Sequence, residues 1–247
     1  MTTKYHPTCN APQNQLLAAL PKADADRWQD HMELVELSLH QVLCAAGRAP
    51  EYVYFPTTAM VSMMYLTQEG ASAEVALVGN DGVMGVSLFL GDDALPSEAV
   101  VQSAGRAYRL SAHFVKSEVE RSGVVMKIML RYAQAMLGQV AQTAVCNRYH
   151  SIDQQLARRL LLGLDRSPSD ELNMTHELAA NLLGVRREGI TVAAHKLQLA
   201  GMIRYHRGHI VVLDRPRLEK HTCECYAASK KEYRRLLPTS VPMPLAA

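Results

Sequence analysis

The chain has 247 residues, 48% apolar and 20% charged, with a formal net charge of +2; this is ordinary globular composition, long enough for two domains with real cores and unlike a disordered chain. No run approaches the roughly 18 apolar residues of a membrane span, and residues 1–12 have neither the basic start nor the apolar stretch of a secretory signal. The five cysteines, Cys9, Cys44, Cys146, Cys223 and Cys225, are odd in number and mostly far apart, so reduced thiols in a cytoplasmic protein are expected.

In chain order, residues 14–20 and 24–37 read as short amphipathic helices broken by Pro21. Between about 39 and 110 the texture becomes short β-type runs with turn residues between them. The run 52–55 is stopped by Pro56, 60–66 is followed by the turn 68–70, and 73–78 by 79–82. Runs at 99–102 and 106–110 complete the set, and strands this short and close predict a sandwich or roll.

From about Ala112 the period is helical. Met126, Leu130, Ala133, Leu137, Val140 and Ala144 recur at spacings of 4, 3, 4, 3 and 4, a heptad seam of the kind that joins two helices. Met129, Tyr132 and Met136 form the adjacent face and are placed to pack on the roll. A helix apolar on two adjacent faces suits a dimer; a single helix buried in a monomeric core is the other reading. Residues 147–150 form a predicted junction. The capping-box sequence Ser151 to Gln154 then opens a helix through Leu156, Leu160, Leu161 and Leu164, closed by a loop at 167–170. Charge divides near this junction. Residues 1–145 hold 10 Lys and Arg against 14 Asp and Glu, and residues 146–247 hold 16 against 10, so a polyanion would meet the C-terminal part.

The informative stretch begins at Thr175, which caps a predicted helix through Leu183 with Leu178, Ala179, Leu182 and Leu183 facing inward. Gly184 supplies a tight turn and Val185 plugs the angle between two helices. The second helix starts at Arg186 and buries Ile190, Ala194 and Leu197. Its exposed start carries Arg186, Arg187 and Glu188, with Thr191 and Val192 a turn later. Arg can bind guanine bidentately in the major groove, and Glu can accept from cytosine N4. Two β runs at 202–205 and 209–213 flank His206, Arg207 and Gly208, a hairpin wing that places Arg204 and Arg207 at phosphate. Four cations around one tip, Arg186, Arg187, Arg204 and Arg207, have no purpose in a purely structural bundle.

On these residues the sequence resembles the Crp/Fnr family of regulators over nearly its whole length: a β-roll with Tyr54, Phe55 and Pro56, a long central helix, and a winged helix-turn-helix. Gly184-Val-Arg-Arg-Glu188 is similar to the family's turn and recognition-helix start, usually Gly-x-Ser-Arg-Glu. The resemblance implies that Arg187 and Glu188 read bases and that Arg186 and Thr175 contact the backbone. A third family position, usually Arg, falls on Val192, which departs from a catabolite-activator-type target and could instead touch a thymine methyl. The implied architecture is α+β: a β-roll (jelly roll) sensor domain at 14–124, a central dimerisation helix and hinge at 125–150, and a winged helix-turn-helix DNA-binding domain at 151–237. The implied partners are double-stranded DNA, a second copy of the chain as a homodimer, and RNA polymerase, with no membrane.

Family members that bind cyclic AMP carry a Gly-Glu pair opening a short helix and an Arg-Ser pair about ten residues on. Here Gly85 is followed by Val86, and the second pair falls near Pro96 and Ser97 with no Arg. The adenine-contacting positions of the central helix become Val140 and Ala141. Gly85, Val86, Ser97, Val140 and Ala141 thus mark a candidate effector pocket, unsuited to a cyclic phosphate. An unknown small-molecule effector stays open.

Other chemistries are weaker. The family's iron–sulfur members cluster three cysteines near the N-terminus, where this chain has Cys9 alone. Cys223 and Cys225, with His221, could hold a metal or act as a redox sensor, but residues two apart on a helix point to opposite sides, so no metal or cofactor is expected. A cupin-type metalloenzyme needs clustered histidines from strands, and none lies between Gln41 and Leu110. No Ser-His-Asp or Cys-His constellation appears, so no enzyme is expected. The rival to a DNA-binding regulator is a ligand-binding or protein-interaction module whose helix-turn-helix is only structural.

Overall fold

The structure, a computed structural model, describes residues 14–91, 94–167 and 169–237. Cys9, the leader reading of residues 1–12, and Pro168 of the predicted 167–170 loop lie outside the described residues.

The first helix, α1 (Gln15–Ala18), is capped by Asn14, whose side chain accepts from the Leu16 and Leu17 backbone N–H groups. The same buried side chain donates to the Pro56 and Gly82 carbonyls, tying the start of the chain to the roll. Helix α2 (Lys22–Gln29) starts directly after Pro21. It does not continue to residue 37 as the sequence suggested: Glu33–Leu37 is a strand, β1. Trp28, Met32 and Val35 have helical spacing, but β1 finds a partner in β7 (Gly105–Ser111), with Leu34 opposite Tyr108. A tertiary partner outweighs local preference in so short a segment.

The predicted β runs are β3 (Tyr52–Pro56), β4 (Met60–Leu66), β5 (Ser72–Val78), β6 (Glu98–Ser103) and β7, to which the structure adds β2 (Val42–Cys44). They form two antiparallel sheets, ordered β1-β7-β3 and β2-β6-β4-β5. Trp28, Val53, Phe55, Val61, Val101 and Leu110 from both sheets and α2 meet in one core. The central strand β4 is buried on both faces: Val61 and Met63 enter this core, whereas Met60 and Met64 enter a second one. That explains why its sequence is apolar at consecutive positions rather than alternating, with Ser62 the one polar residue among them.

Helix α3 (Ala112–Arg121) ends at Ser122, whose extended backbone and hydroxyl cap the long helix α4 (Gly123–Tyr149). The helix is continuous through the predicted 147–150 junction, and the joint narrows to His150 and Ser151. Val125, Met129, Tyr132 and Met136 of α4 pack into the roll core. Gly82 makes room for them, because a Cβ there would lie 2.5 Å from the Tyr132 hydroxyl.

Beyond the joint come α5 (Ile152–Leu164), β8 (Glu171–Asn173), α6 (His176–Leu183), α7 (Arg187–Leu199), β9 (Ile203–His206), β10 (His209–Val212), α8 (Arg215–His221) and α9 (Glu224–Leu236). Leu156, Leu160, Leu182, Ile190, Leu197 and Leu218 fill the second core with Met60, Met64 and Leu77 from the roll. Two buried ion pairs cross the same boundary. Arg159 of α5 meets Glu74 of β5 at 2.6 Å, and Arg166 meets Asp81 at 2.8 Å. Arg166 also donates to Gln139 Oε1 of α4 at 3.2 Å and to the Leu162 carbonyl.

Candidate nucleic-acid interface

Helix α6 opens at Thr175, whose hydroxyl accepts from the Leu178 backbone N–H at 3.1 Å. It closes at Gly184, which sits in the left-handed region at φ +65, where glycine avoids the Cβ penalty. Ala179 and Ala180 are both buried, so no bulky side chain separates α6 from α7. Ile190, Ala193, Ala194 and Leu197 hold the inner face of α7 in the core. Opposite them, Arg186, Arg187, Glu188, Thr191 and Val192 are exposed, Val192 to 69%. Arg186 occupies the N-cap and Arg187 and Glu188 the first turn, so the helix presents both charges at the end that points out of the domain.

Thr191 is less available than its exposure suggests. Its hydroxyl donates to the Arg187 carbonyl at 3.1 Å and lies 3.0 Å from His176 Nδ1. The His176 ring stacks on Tyr205 with centroids 4.2 Å apart, joining α6, α7 and the wing. Burial, then the nearby Arg187 charge, lower the His176 pKa and favour its neutral form. Sequence patterning did not single out His176, because its role depends on groups 15 and 29 residues away.

The wing is a two-residue hairpin with His206 opposite His209. Arg207 and Gly208 both have positive φ, +47 and +86, as a type I′ turn requires. Arg207 is a costly residue for that conformation, where Asn or Gly would sit more easily. Both Arg204 and Arg207 are exposed. The Met174 N–H donates to the Gly208 carbonyl at 2.7 Å, which holds the wing tip beside the start of α6. The four arginines therefore project from one end of the domain, on the α7 start and the wing.

The heptad seam divides in a single chain. Met126, Ala133 and Val140 are half-buried against the roll core. Leu130, Leu137 and Ala144, seven residues apart, are exposed, with Leu137 bare to 69%.

The candidate effector residues also divide. Gly85, Val86 and Ser97 line a small cavity that opens to solvent, together with Ser87, Tyr52 and Tyr54. Val140 and Ala141 do not line it; Val140 packs on the roll core and Ala141 is exposed. The Gly85–Ser97 stretch itself carries no arginine, but Arg48, from the segment between β2 and β3, also lines the cavity. It was missed because it enters from a loop far in sequence from the Gly85–Ser97 stretch.

His221 is not grouped with Cys223 and Cys225. Its Nε2 lies 2.7 Å from Asp153 Oδ2, and the cysteines instead lie beside Cys146 and His150. Among the described residues, no helix is long and apolar enough to cross a membrane.

Comparison with known proteins adds two family matches. Residues 34–122 match the family described as "Cyclic nucleotide-binding domain" and residues 154–221 that described as "Crp-like helix-turn-helix domain". No curated protein sequence matches the chain. Among solved structures, FixK2 from Bradyrhizobium japonicum is similar at a TM-score of 0.66 and 15% identity, over 78% of this chain and 98% of that one. A CRP-family transcriptional regulator from Thermus thermophilus gives 0.64 and 16%, over 76% and 95%. The c-di-GMP-responsive global regulator CLP of Xanthomonas campestris gives 0.61 and 16%, over 78% and 99%. These likenesses bear out the α+β fold: a β-roll, a long helix and a helix-turn-helix.

Proposed function

The chain belongs to the Crp/Fnr family of transcription regulators with a DNA-binding helix-turn-helix, by two domain matches that together span more than half of it; from this we propose that it acts as a homodimer on a pseudo-palindromic operator, without cyclic AMP. The observation that carries this is the exposed start of α7, where Arg186, Arg187 and Glu188 face solvent on the same domain end as the exposed wing arginines Arg204 and Arg207. Arg187 and Glu188 read base edges in the major groove, and Val192 contacts a thymine methyl. Arg186, Arg204 and Arg207 hold phosphates. Thr175 and Thr191 position the two helices through the Leu178 and His176 bonds, and can add a backbone contact only at their outer edges.

Dimerisation runs along α4 through Leu130, Leu137 and Ala144, with Met126, Ala133 and Val140 at the flank. The two-fold axis then places two recognition helices about one turn of DNA apart, roughly 10–11 base pairs. Proposed boundaries are a roll domain at 14–124, a dimerisation helix at 125–150 and a DNA-binding domain at 151–237. RNA polymerase is the proposed protein partner. The cavity at Gly85, Val86 and Ser97 takes a small effector other than a cyclic nucleotide, or serves as scaffold. Selection of bound duplexes from a random pool tests the reading: enriched sites should be inverted repeats at the stated spacing, and an unenriched pool would refute it.

A further inference from the structure

At the joint between α4 and the DNA-binding domain, four potential metal ligands converge from two distant segments. Cys146 and His150 are one turn apart at the end of α4, and Cys223 and Cys225 begin α9. Their ligand atoms all lie within 4.8 Å of one another, with the three cysteines buried and His150 half-buried. Cys146 Sγ is 3.5 Å from Cys223 Sγ, and Cys225 Sγ is 3.5 Å from His150 Nδ1. An ion bound tetrahedrally by sulfur at about 2.3 Å and nitrogen at about 2.0–2.1 Å puts its ligand atoms roughly 3.5–3.8 Å apart. Helix alternation would have separated Cys223 from Cys225. Cys223, however, is the N-cap of α9, with extended backbone at φ −77 and ψ 166, so its thiol turns toward that of Cys225.

The surroundings suit a thiolate site. Gln142 Nε2 donates to Cys225 Sγ at 3.0 Å, and His150 Nε2 lies 3.3 Å from Glu224 Oε1, leaving Nδ1 to face the cysteines. A carboxylate behind the imidazole is the usual outer partner of a metal-bound histidine. Arg158 supplies an independent sign. It is 6% exposed and donates to Thr143 Oγ1, yet among the described residues no carboxylate lies within 4 Å of it. A buried guanidinium without a counter-charge is costly. Its hydrogen bond to Thr143 holds it to the same end of α4, and a divalent ion with three thiolates and a neutral imidazole carries one net negative charge.

We propose that Cys146, His150, Cys223 and Cys225 bind one zinc-class divalent cation in a closed tetrahedral site. Four protein ligands leave no position for substrate, so the ion is a structural staple. It joins the end of α4 to the start of α9 across the His150–Ser151 joint. Binding releases the thiol protons, so occupancy strengthens as pH rises.

The test uses the full chain, reduced, loaded with zinc and desalted. One zinc per chain is expected by elemental analysis, and cobalt in its place should give thiolate charge-transfer and tetrahedral d–d absorption. Cys225→Ala should weaken cobalt binding at least a hundredfold, while Cys44→Ser leaves it unchanged. Should Cys225→Ala fail to fold, the wild type decides the matter: zinc should shield three thiols from a thiol reagent, and a chelator should expose them. Substoichiometric zinc, or thiols that react equally with and without chelator, would overturn the proposal. So would a Cys146–Cys223 disulfide forming as readily with zinc as without it. None of these outcomes bears on DNA recognition.

Discussion

Arg159 of α5 and Glu74 of β5 form an ion pair of 2.6 Å whose side chains are only 5% and 9% exposed, and it joins the DNA-binding domain to the roll. The Ser62 hydroxyl also donates to Glu74. Removing one partner strands a buried charge, whereas removing both does not. Arg159→Met should therefore destabilise the protein by about 3–5 kcal/mol. The double substitution Arg159→Met with Glu74→Gln should recover a substantial part of that loss. Denaturant unfolding of the single and double variants checks this; purely additive losses would mean the two charges are not coupled.

The exposed Leu137 gives a test of the dimer. Leu137→Arg places an unpaired charge in an apolar seam, so sedimentation should show monomers at concentrations where the wild type is dimeric. Tight operator binding should fall with it. The inward face of α4 is untouched by this change, so circular dichroism should stay that of the wild type. An unchanged dimer would move the interface away from α4.

Arg207 occupies a left-handed turn position at φ +47, a conformation a non-glycine side chain adopts only at some cost. Arg207→Gly should keep or slightly improve thermal stability while weakening DNA binding on every sequence alike. The slope of log affinity against log salt should shrink by about one phosphate contact, near 0.9. Loss confined to one preferred sequence would make Arg207 a base reader.

The effector cavity offers a titration. Val86 cannot accept from ribose hydroxyls, and hydrogen bonds to charged groups are worth about 1.5–3 kcal/mol each. Cyclic AMP and cyclic GMP should accordingly give no micromolar heat in calorimetry, and DNA binding should proceed without them. Micromolar binding that disappears in Arg48→Ala would show that the loop arginine replaces the missing one and would overturn this part of the account.

Much of this was legible in the sequence because period and turn chemistry are local. The runs at 60–66 and 73–78, the Thr175 cap, the Gly184 turn and the Arg207–Gly208 hairpin stand where their patterns put them. What was not legible depends on contacts between distant segments. Strand β1 had helical spacing and became a strand because β7 pairs with it. Arg48 reaches the cavity from an unpatterned loop. The Cys223 and Cys225 thiols converge only because a helix begins between them, and their histidine neighbour is His150, 75 residues from Cys225, rather than the nearby His221.

Direct readout by the start of α7 is the central claim, and Arg187→Ala tests it most simply. Binding of wild type and variant should be titrated on a selected operator and on a scrambled duplex at one salt concentration. The variant should lose about 1–3 kcal/mol, roughly 5- to 150-fold, on the operator and much less on the scrambled duplex. The base preference at one position per half-site should relax. Equal loss on both duplexes would make Arg187 a phosphate contact and contradict the account.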